Sequence, residues 1–364
     1  MFFTLILSSF LTFVELNCEN LFDTRHDSLK NDYEFLPQSS YKWTPYRYWR
    51  KLANLSKTIV ALGYEDLSLV GTASPDNPSR PSEMSWHVPD FVALCEVEND
   101  SVLFDLTRRS ALRGVNYDYV MTDSPDERGI DVALLYQPSS FALIQFRSIR
   151  IKPLPDTRPT RDILYASGRI MNDDTLHVFV LHAPSRRGDE QVSRPYRLQV
   201  ASQLVSAVDS IYALNDSARI IVAGDFNDYS DSPALRYLYQ HHLINISVGA
   251  KGSHGAKATY RWHGDWRSLD QILFSPSLSR LKMSCQIGDL PFLLEDDEKY
   301  GGKKPFRTYL GPRYLGGYSD HLPLVAKFKI EGGYEKKTGM LRFLLNIPFC
   351  ILVRFFLFCL IIRR

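Results

Sequence analysis

At 364 residues, with 45% hydrophobic and 23% charged side chains, the chain has an ordinary globular composition and enough length to bury a large core, which excludes a disordered protein. Of its 43 basic and 41 acidic residues, six and two fall after Ile330, so the body before that point holds 37 against 39. It lacks the domain-wide basic field of a protein that grips nucleic acid non-specifically, and any polyanion contact must be local. The five cysteines (Cys18, Cys95, Cys285, Cys350, Cys359) show neither paired spacing nor a CxxC metal pattern. Cys18 and Cys95 sit in apolar strand-like runs and read as buried thiols.

Met1 to Phe13 is apolar like the core of a leader, yet no basic residue precedes it and no small-residue cleavage site follows. It reads as an uncleaved lead into a first strand, Phe10 to Leu16, which ends in Asn17, Cys18, Glu19 and Asn20. Thr44 and Pro45 give an N-cap and a first-turn proline, opening a helix with Trp49, Leu52, Ser56, Ile59 and Gly63 on one stripe. The Ser-, Pro-, Asp- and Asn-rich stretch from Tyr64 to Pro89 reads as a surface insertion. Phe91 to Cys95 is a second strand with acids beyond its end, Glu96 and Glu98.

After a helix ending near Gly114 comes an antiparallel meander: Tyr117 to Met121, Ile130 to Tyr136, Phe141 to Ile151, Ile163 to Ile170 and Thr175 to His182. His182 is followed by Ser185, Arg186 and Arg187, donors suited to a phosphate oxygen. Arg194 and Arg197, with Arg158 and Arg161, extend a basic strip that is equally a solvated face. Leu198 to Ile211 fits an amphipathic packing helix.

The stretch Arg219 to Tyr229, RIIVAGDFNDY, is a buried strand that opens at Gly224 onto Asp225, Asn227 and Asp228. Gly-Asp and Asn-Asp pairs also make ordinary turns, so this loop alone does not settle a catalytic role. Thr259 to Trp262 and Leu269 to Phe274 are strands, with Asp270 near the start of the second. Tyr318, Ser319, Asp320 and His321 precede a last strand, Leu322 to Ile330. No internal repeat and no glycine-rich nucleotide loop is present.

Asn17, Glu19, Glu96, His182, Asp225, Asn227, Asp270, Asp320 and His321 thus all lie beside strand ends, which points to one site. Hard oxygen ligands without cysteine suit Mg²⁺ or Mn²⁺ better than zinc. A carboxylate near a histidine, with amides and a metal around them, supplies what phosphoester hydrolysis needs: an activated water, charge stabilisation and help for the leaving group.

The ordered blocks N-C-E-N at Asn17, L-C-E-V-E-N at Glu96, R-G-I-D-V-A-L-L-Y near Asp131, L-H-A-P-S at His182, G-D-F-N-D at Asp225, S-L-D-Q-I at Asp270 and Y-S-D-H-L-P at His321 resemble the endonuclease/exonuclease/phosphatase superfamily, bacterial members above all. The resemblance implies an α/β four-layer sandwich, two mostly antiparallel sheets packed face to face and flanked by helices, over residues 10–330. It further implies that Glu96 is the principal Mg²⁺ ligand, with Glu19 and Asp320 near the metal. Asp225 would orient or deprotonate the attacking water, and Asn227 would hold a phosphate oxygen. His321, oriented by Asp270, would be the second acid/base group. His182 matches the histidine of deoxyribonuclease-type members, and Asn17 would lie close to the metal, facing the substrate; Arg186 and Arg187, by their own donors, are candidate substrate contacts. Glu19 stands where many members have Asp, and S-L-D-Q-I is the loosest match.

The expectation is a Mg²⁺- or Mn²⁺-dependent phosphodiesterase acting as a monomer, foremost an endo- or exonuclease on DNA or RNA. Lipid or inositol phosphates, or a catalytically silent scaffold on the same fold, are the alternatives. Residues 331–364 form a separate basic-flanked tail, in which Met340 to Ile362 is long enough to span a bilayer although Arg354 and Pro348 interrupt it; it is expected to attach the protein to a membrane.

Overall fold

The computed structural model describes residues 9–63, 87–155, 157–186, 190–281 and 283–330. The expected insertion around 64–86 and the hydrophobic tail, Met340 to Ile362 included, lie outside the described residues. Among the described residues no helix is long and apolar enough to cross a membrane.

The unit Phe10–Lys329 is built on two six-stranded sheets. In chain order the strands of the first half are β1 (Ser9–Leu21), β2 (Phe91–Val97), β3 (Asp118–Met121), β4 (Asp131–Tyr136), β5 (Phe141–Ile149), β6 (Ile163–Ile170) and β7 (Thr175–His182). The second half adds β8 (Arg219–Asp225), β9 (Ile244–Asn245), β10 (Tyr260–Trp262), β11 (Asp265–Arg267), β12 (Asp270–Phe274) and β13 (Met283–Ile287). Two small ribbons follow, β14 (Leu294–Asp296) with β15 (Lys303–Pro305) and β16 (Tyr309–Leu310) with β17 (Arg313–Tyr314), before the last strand, β18 (Leu324–Ile330). One sheet runs β13-β18-β1-β2-β4-β3 and the other β5-β6-β7-β8-β12-β9.

The sheets pack face to face, with β2 lying across β7 and β8. Side chains interleave between them: Phe91 of β2 meets Phe141 of β5 edge-on at 5.2 Å, and Phe274 of β12 meets Phe328 of β18 at the same separation. The outer faces are covered by helices α1 (Pro45–Leu62) and α2 (Asp100–Phe104) on one side and α3 (Glu190–Tyr212) and α4 (Pro233–Gln240) on the other. Period-two alternation makes this work: Val14, Leu16 and Cys18 of β1 face Leu52, Leu55 and Ile59 of α1, which leaves the intervening residues to the inter-sheet face. Cys18, Cys95 and Cys285 are free thiols.

Two expectations are corrected. The meander from Tyr117 to His182 is not one sheet: β3 and β4 join the first, and β5, β6 and β7 the second. The sheets are mostly antiparallel, as expected, with β1 beside β2 and β7 beside β8 as parallel pairs. In α1 the expected Leu52, Ser56, Ile59 and Gly63 are buried, but Trp49 is 40% exposed and Tyr48 takes the inward place in the first turns.

Candidate active site

Both parallel pairs end at one edge. Asn17 is level with Cys95, just before Glu96, and His182 is level with Asp225, while the antiparallel β12 begins there, with Asp270 opposite Asp225. Carboxyl ends of adjacent parallel strands gather loops at one rim of a sheet, and here two rims face each other. The ladder is interrupted at this rim, where the register of β1 and β2 shifts after Asn17 and after Cys95. Glu19, Asn20, Glu96 and Asn227 have φ of 51°, 58°, 62° and 48°, a left-handed conformation that non-glycine residues adopt at a cost of about 1–3 kcal/mol each. Gly224, at φ 144°, lies so close to β7 that a Cβ would stand 1.9 Å from the Leu181 carbonyl oxygen.

Asp225 is the hub. Its Oδ2 accepts from Asn17 Nδ2 at 3.1 Å and Asn227 Nδ2 at 3.2 Å, and its Oδ1 accepts from the Asn227 backbone N–H at 2.8 Å. His182 Nε2 stands 3.6 Å from Asp225 Oδ2 and 3.9 Å from Glu96 Oε1. Glu96 Oε2 accepts from the Asn20 backbone N–H at 2.8 Å. On the other flank His321 Nδ1 donates to Asp270, at 2.9 and 3.1 Å to its two oxygens, and Thr259 Oγ1 donates to Asp270 Oδ2. Tyr260 packs its ring on His321 at 4.9 Å. Asn17, Glu96, His182, Asp225, Asn227, Asp270 and His321 thus form one constellation.

Its electrostatics set the two histidines apart. Burial, with Arg161 and Arg128 nearby, drives the His182 pKa well below the ordinary value, so the ring is neutral near pH 7. Burial also opposes charge on His321, yet Asp270, with Asp225 and Asp320, holds its pKa well above the ordinary value, so it is an imidazolium. Asp225 is pushed up to about 7, first by burial and then by Asp270. A near-neutral carboxyl, a cationic histidine and a neutral histidine around one opening are groups tuned for proton transfer.

Glu19 and Asp320, expected near the metal, stand next to this constellation and are bridged by a residue the sequence did not single out. Arg307 places Nη2 2.9 Å from Asp320 Oδ2 and Nε 3.4 Å from Glu19 Oε1. Glu19 also accepts from the backbone N–H groups of Thr308 at 2.5 Å and Tyr309 at 3.1 Å. Burial, then Asp320, pushes its pKa up to about 7. The fully buried Lys51 of α1 secures this loop from beneath, donating to Thr308 Oγ1 at 2.6 Å and the Tyr318 carbonyl at 2.5 Å. No local pattern marks Arg307 or Lys51, because both act across the fold.

The second acid of the G-D-F-N-D block turns away from the opening. Asp228 is buried against α3, where it pairs with Arg186 at 2.8 Å and with Arg197 at 3.1 Å. Arg186 pairs further with Glu190 at 2.9 Å, and Arg197 is 1% exposed. Arg197 is therefore a buried structural cation, not part of a surface strip. Arg187 lies outside the described residues.

Residues 12–330 match the model of the Endonuclease/Exonuclease/phosphatase family. The chain belongs to this family. Similar solved folds include an endonuclease/exonuclease/phosphatase family protein from Bacteroides thetaiotaomicron, at 13% identity and TM-score 0.55, covering 89% of this chain and 99% of that one. A mannosyl-6-phosphatase of Bacteroides thetaiotaomicron superimposes at 14% identity and TM-score 0.53 over 87% and 99%. TDP2 from C. elegans does so at 13% identity and TM-score 0.51 over 88% and 75%. No curated protein matches the chain.

Family members use divalent cations, and the donors here suit one. Glu96 is all-oxygen, 15% exposed, and its Oε1 faces the opening beside Asp225 and His182. Asp225, Asp270 and His321 also bring ligand atoms within 4.8 Å of one another, but His321 Nδ1 and Asp270 already satisfy each other.

Proposed function

We propose that this chain is a metal-dependent hydrolase of phosphodiesters. The observation that carries the reading is Asp225, held by two side-chain amides between a neutral His182 and the His321–Asp270 pair, with an unshared Glu96 oxygen alongside. Glu96 would hold Mg²⁺ or Mn²⁺, with Asp320 and Glu19 as neighbouring carboxylates. The cation, when bound, supplies positive charge and Lewis acidity to the phosphoryl group. Asp225 takes the proton of the attacking water as its oxygen bonds to phosphorus. The imidazolium of His321 gives a proton to the departing oxygen as the ester P–O bond breaks. Asn17 and Asn227 fix Asp225, and neutral His182 donates to a phosphoryl oxygen.

Of the substrates expected from sequence, a small or terminal phosphoester is favoured over a long duplex. Two cations of the strip that would have followed a polyanion, Arg186 and Arg197, are taken up by Asp228 and Glu190. The test is turnover of bis(p-nitrophenyl) phosphate, RNA and plasmid DNA across a Mg²⁺ titration, with Asp225→Asn as control. Metal-dependent hydrolysis that drops on the order of a hundredfold or more in the folded variant is expected. Equal rates in wild type and Asp225→Asn would refute it, and a steep fall of plasmid cleavage with salt would restore the nuclease reading.

A further inference from the structure

One side of the reaction centre hangs on an arm that cannot hold itself. Phe306 to Tyr318 leaves the fold and returns: the Tyr318 N–H donates to the Phe306 carbonyl at 2.6 Å and the Leu315 N–H to the Thr308 carbonyl at 2.8 Å. Beyond this neck the arm contains only β16 and β17, of two residues each. An isolated two-stranded ribbon is marginal in water even when it is longer. Yet the neck bears Arg307, which bridges Glu19 and Asp320, and it runs straight into Ser319, Asp320 and His321.

The support comes from α1, on a face separate from its apolar stripe. Arg47, Lys51 and Asn54 recur at i, i+4 and i+7 and so share one side of the helix. Arg47 lays its guanidinium over the Tyr314 ring at 4.3 Å, and Asn54 Nδ2 donates to the carbonyls of Gly316 at 3.1 Å and Gly317 at 2.7 Å. Between them Lys51 joins the two sides of the neck, donating to the Thr308 hydroxyl on one and to the Tyr318 carbonyl on the other.

Lys51 is the costly member of this stripe. It is 1% exposed, and both of its hydrogen bonds go to neutral oxygens. Burying an ammonium is expensive, and an apolar side chain of similar length would fill the space at less cost if packing were its only task. Burial works against its charge, while Glu19 foremost, with Asp320 and Glu96, works to sustain it. Those three are the carboxylates offered to the cation.

We propose that Lys51 is a positioning residue for the cation site: it ties the neck of the arm to α1 and sets a fixed positive charge near Glu19, Asp320 and Glu96, so that these acids stand in place before a divalent cation arrives. The role of the cation rests on the metal-dependent hydrolase reading; the clamp on the arm does not.

The test is hydrogen–deuterium exchange of the intact chain, metal-free and at saturating Mg²⁺, in wild type, Lys51→Met and Thr308→Val. Without metal, Lys51→Met should speed exchange over residues 306–320 about tenfold or more, the effect of losing bonds from a charged donor, while β7 and β8 keep wild-type rates. Thr308→Val removes one acceptor and leaves the charge, so the same amides should speed up by less. Mg²⁺ should slow them again in Lys51→Met, because a cation that binds the assembled acids stabilises the assembled arm. Wild-type rates over 306–320 in both variants, acceleration spread equally through β7 and β8, or no slowing by Mg²⁺ would each overturn the proposal. If Lys51→Met does not fold, Thr308→Val decides: acceleration confined to 306–320 supports the clamp, and wild-type rates overturn it. Failure of the two readings is distinguishable. Hydrolysis of bis(p-nitrophenyl) phosphate with exchange unmoved in both variants removes the clamp alone, and acceleration confined to the arm in a protein that hydrolyses no phosphoester removes the hydrolase reading and leaves the clamp.

Discussion

Replacing Asp270 by Asn tests the chemistry through one bond. Asp270 is 1% exposed and accepts from both His321 Nδ1, at 2.9 Å, and Thr259 Oγ1. It is the foremost group holding the His321 pKa up against burial. The amide keeps the shape and an acceptor oxygen for Thr259, but it removes the charge that keeps His321 protonated. A hydrogen bond to a charged partner is worth about 1.5–3 kcal/mol, which converts to a loss of about 10- to 150-fold in kcat/KM. The alkaline limb of the pH–rate profile, set by deprotonation of His321, should move to lower pH in the variant. Initial rates over a pH series, with circular dichroism to show that the fold is kept, measure both effects. A kcat/KM within twofold of wild type, or a loss with the alkaline limb unmoved, would refute the role of the pair.

Glu96→Gln should raise the Mg²⁺ concentration for half-maximal rate by tenfold or so, since an amide is a far weaker ligand for a hard cation than a carboxylate; a metal titration checks it, and unchanged half-saturation would move the cation towards Asp320. In the metal-free protein thermal stability should fall as pH rises from about 5 to about 8. Asp225 and Glu19 both have folded pKa values pushed up to about 7, so the stability they contribute is complete below their unfolded values and is lost as pH rises through 7. Saturating Mg²⁺ should raise the melting temperature more at the higher pH, and a melting temperature that climbs with pH in the absence of metal would contradict this. Gly224→Ala should cost about 3 kcal/mol or more, because φ 144° excludes a side chain and the new Cβ would meet the Leu181 carbonyl at 1.9 Å; urea denaturation measures it.

Much of the site could be read from local pattern. Asn17, Glu96, His182, Asp225, Asn227, Asp270 and His321 each lie where an apolar run of a strand gives way to polar residues, and such a change exposes them at a sheet rim. Their convergence was foreseeable because α/β sheets collect strand ends. The division of the meander between two sheets was not, since β4 and β5 are both apolar enough to pair on either side of the turn at Gln137 to Ser140.

The sequence by itself determined the strand ends and the polar residue types gathered beside them, because these depend on residue type and on periodicity along the chain. Tertiary structure alone decided which charges remain open. Asp228 and Arg197 lie 31 positions apart and neutralise each other in the core, whereas Arg307 reaches back to Glu19 across nearly the whole chain. A basic strip and a buried ion pair look alike in one dimension, and only packing determines which acid stands within reach of which base and how much water is left to screen them.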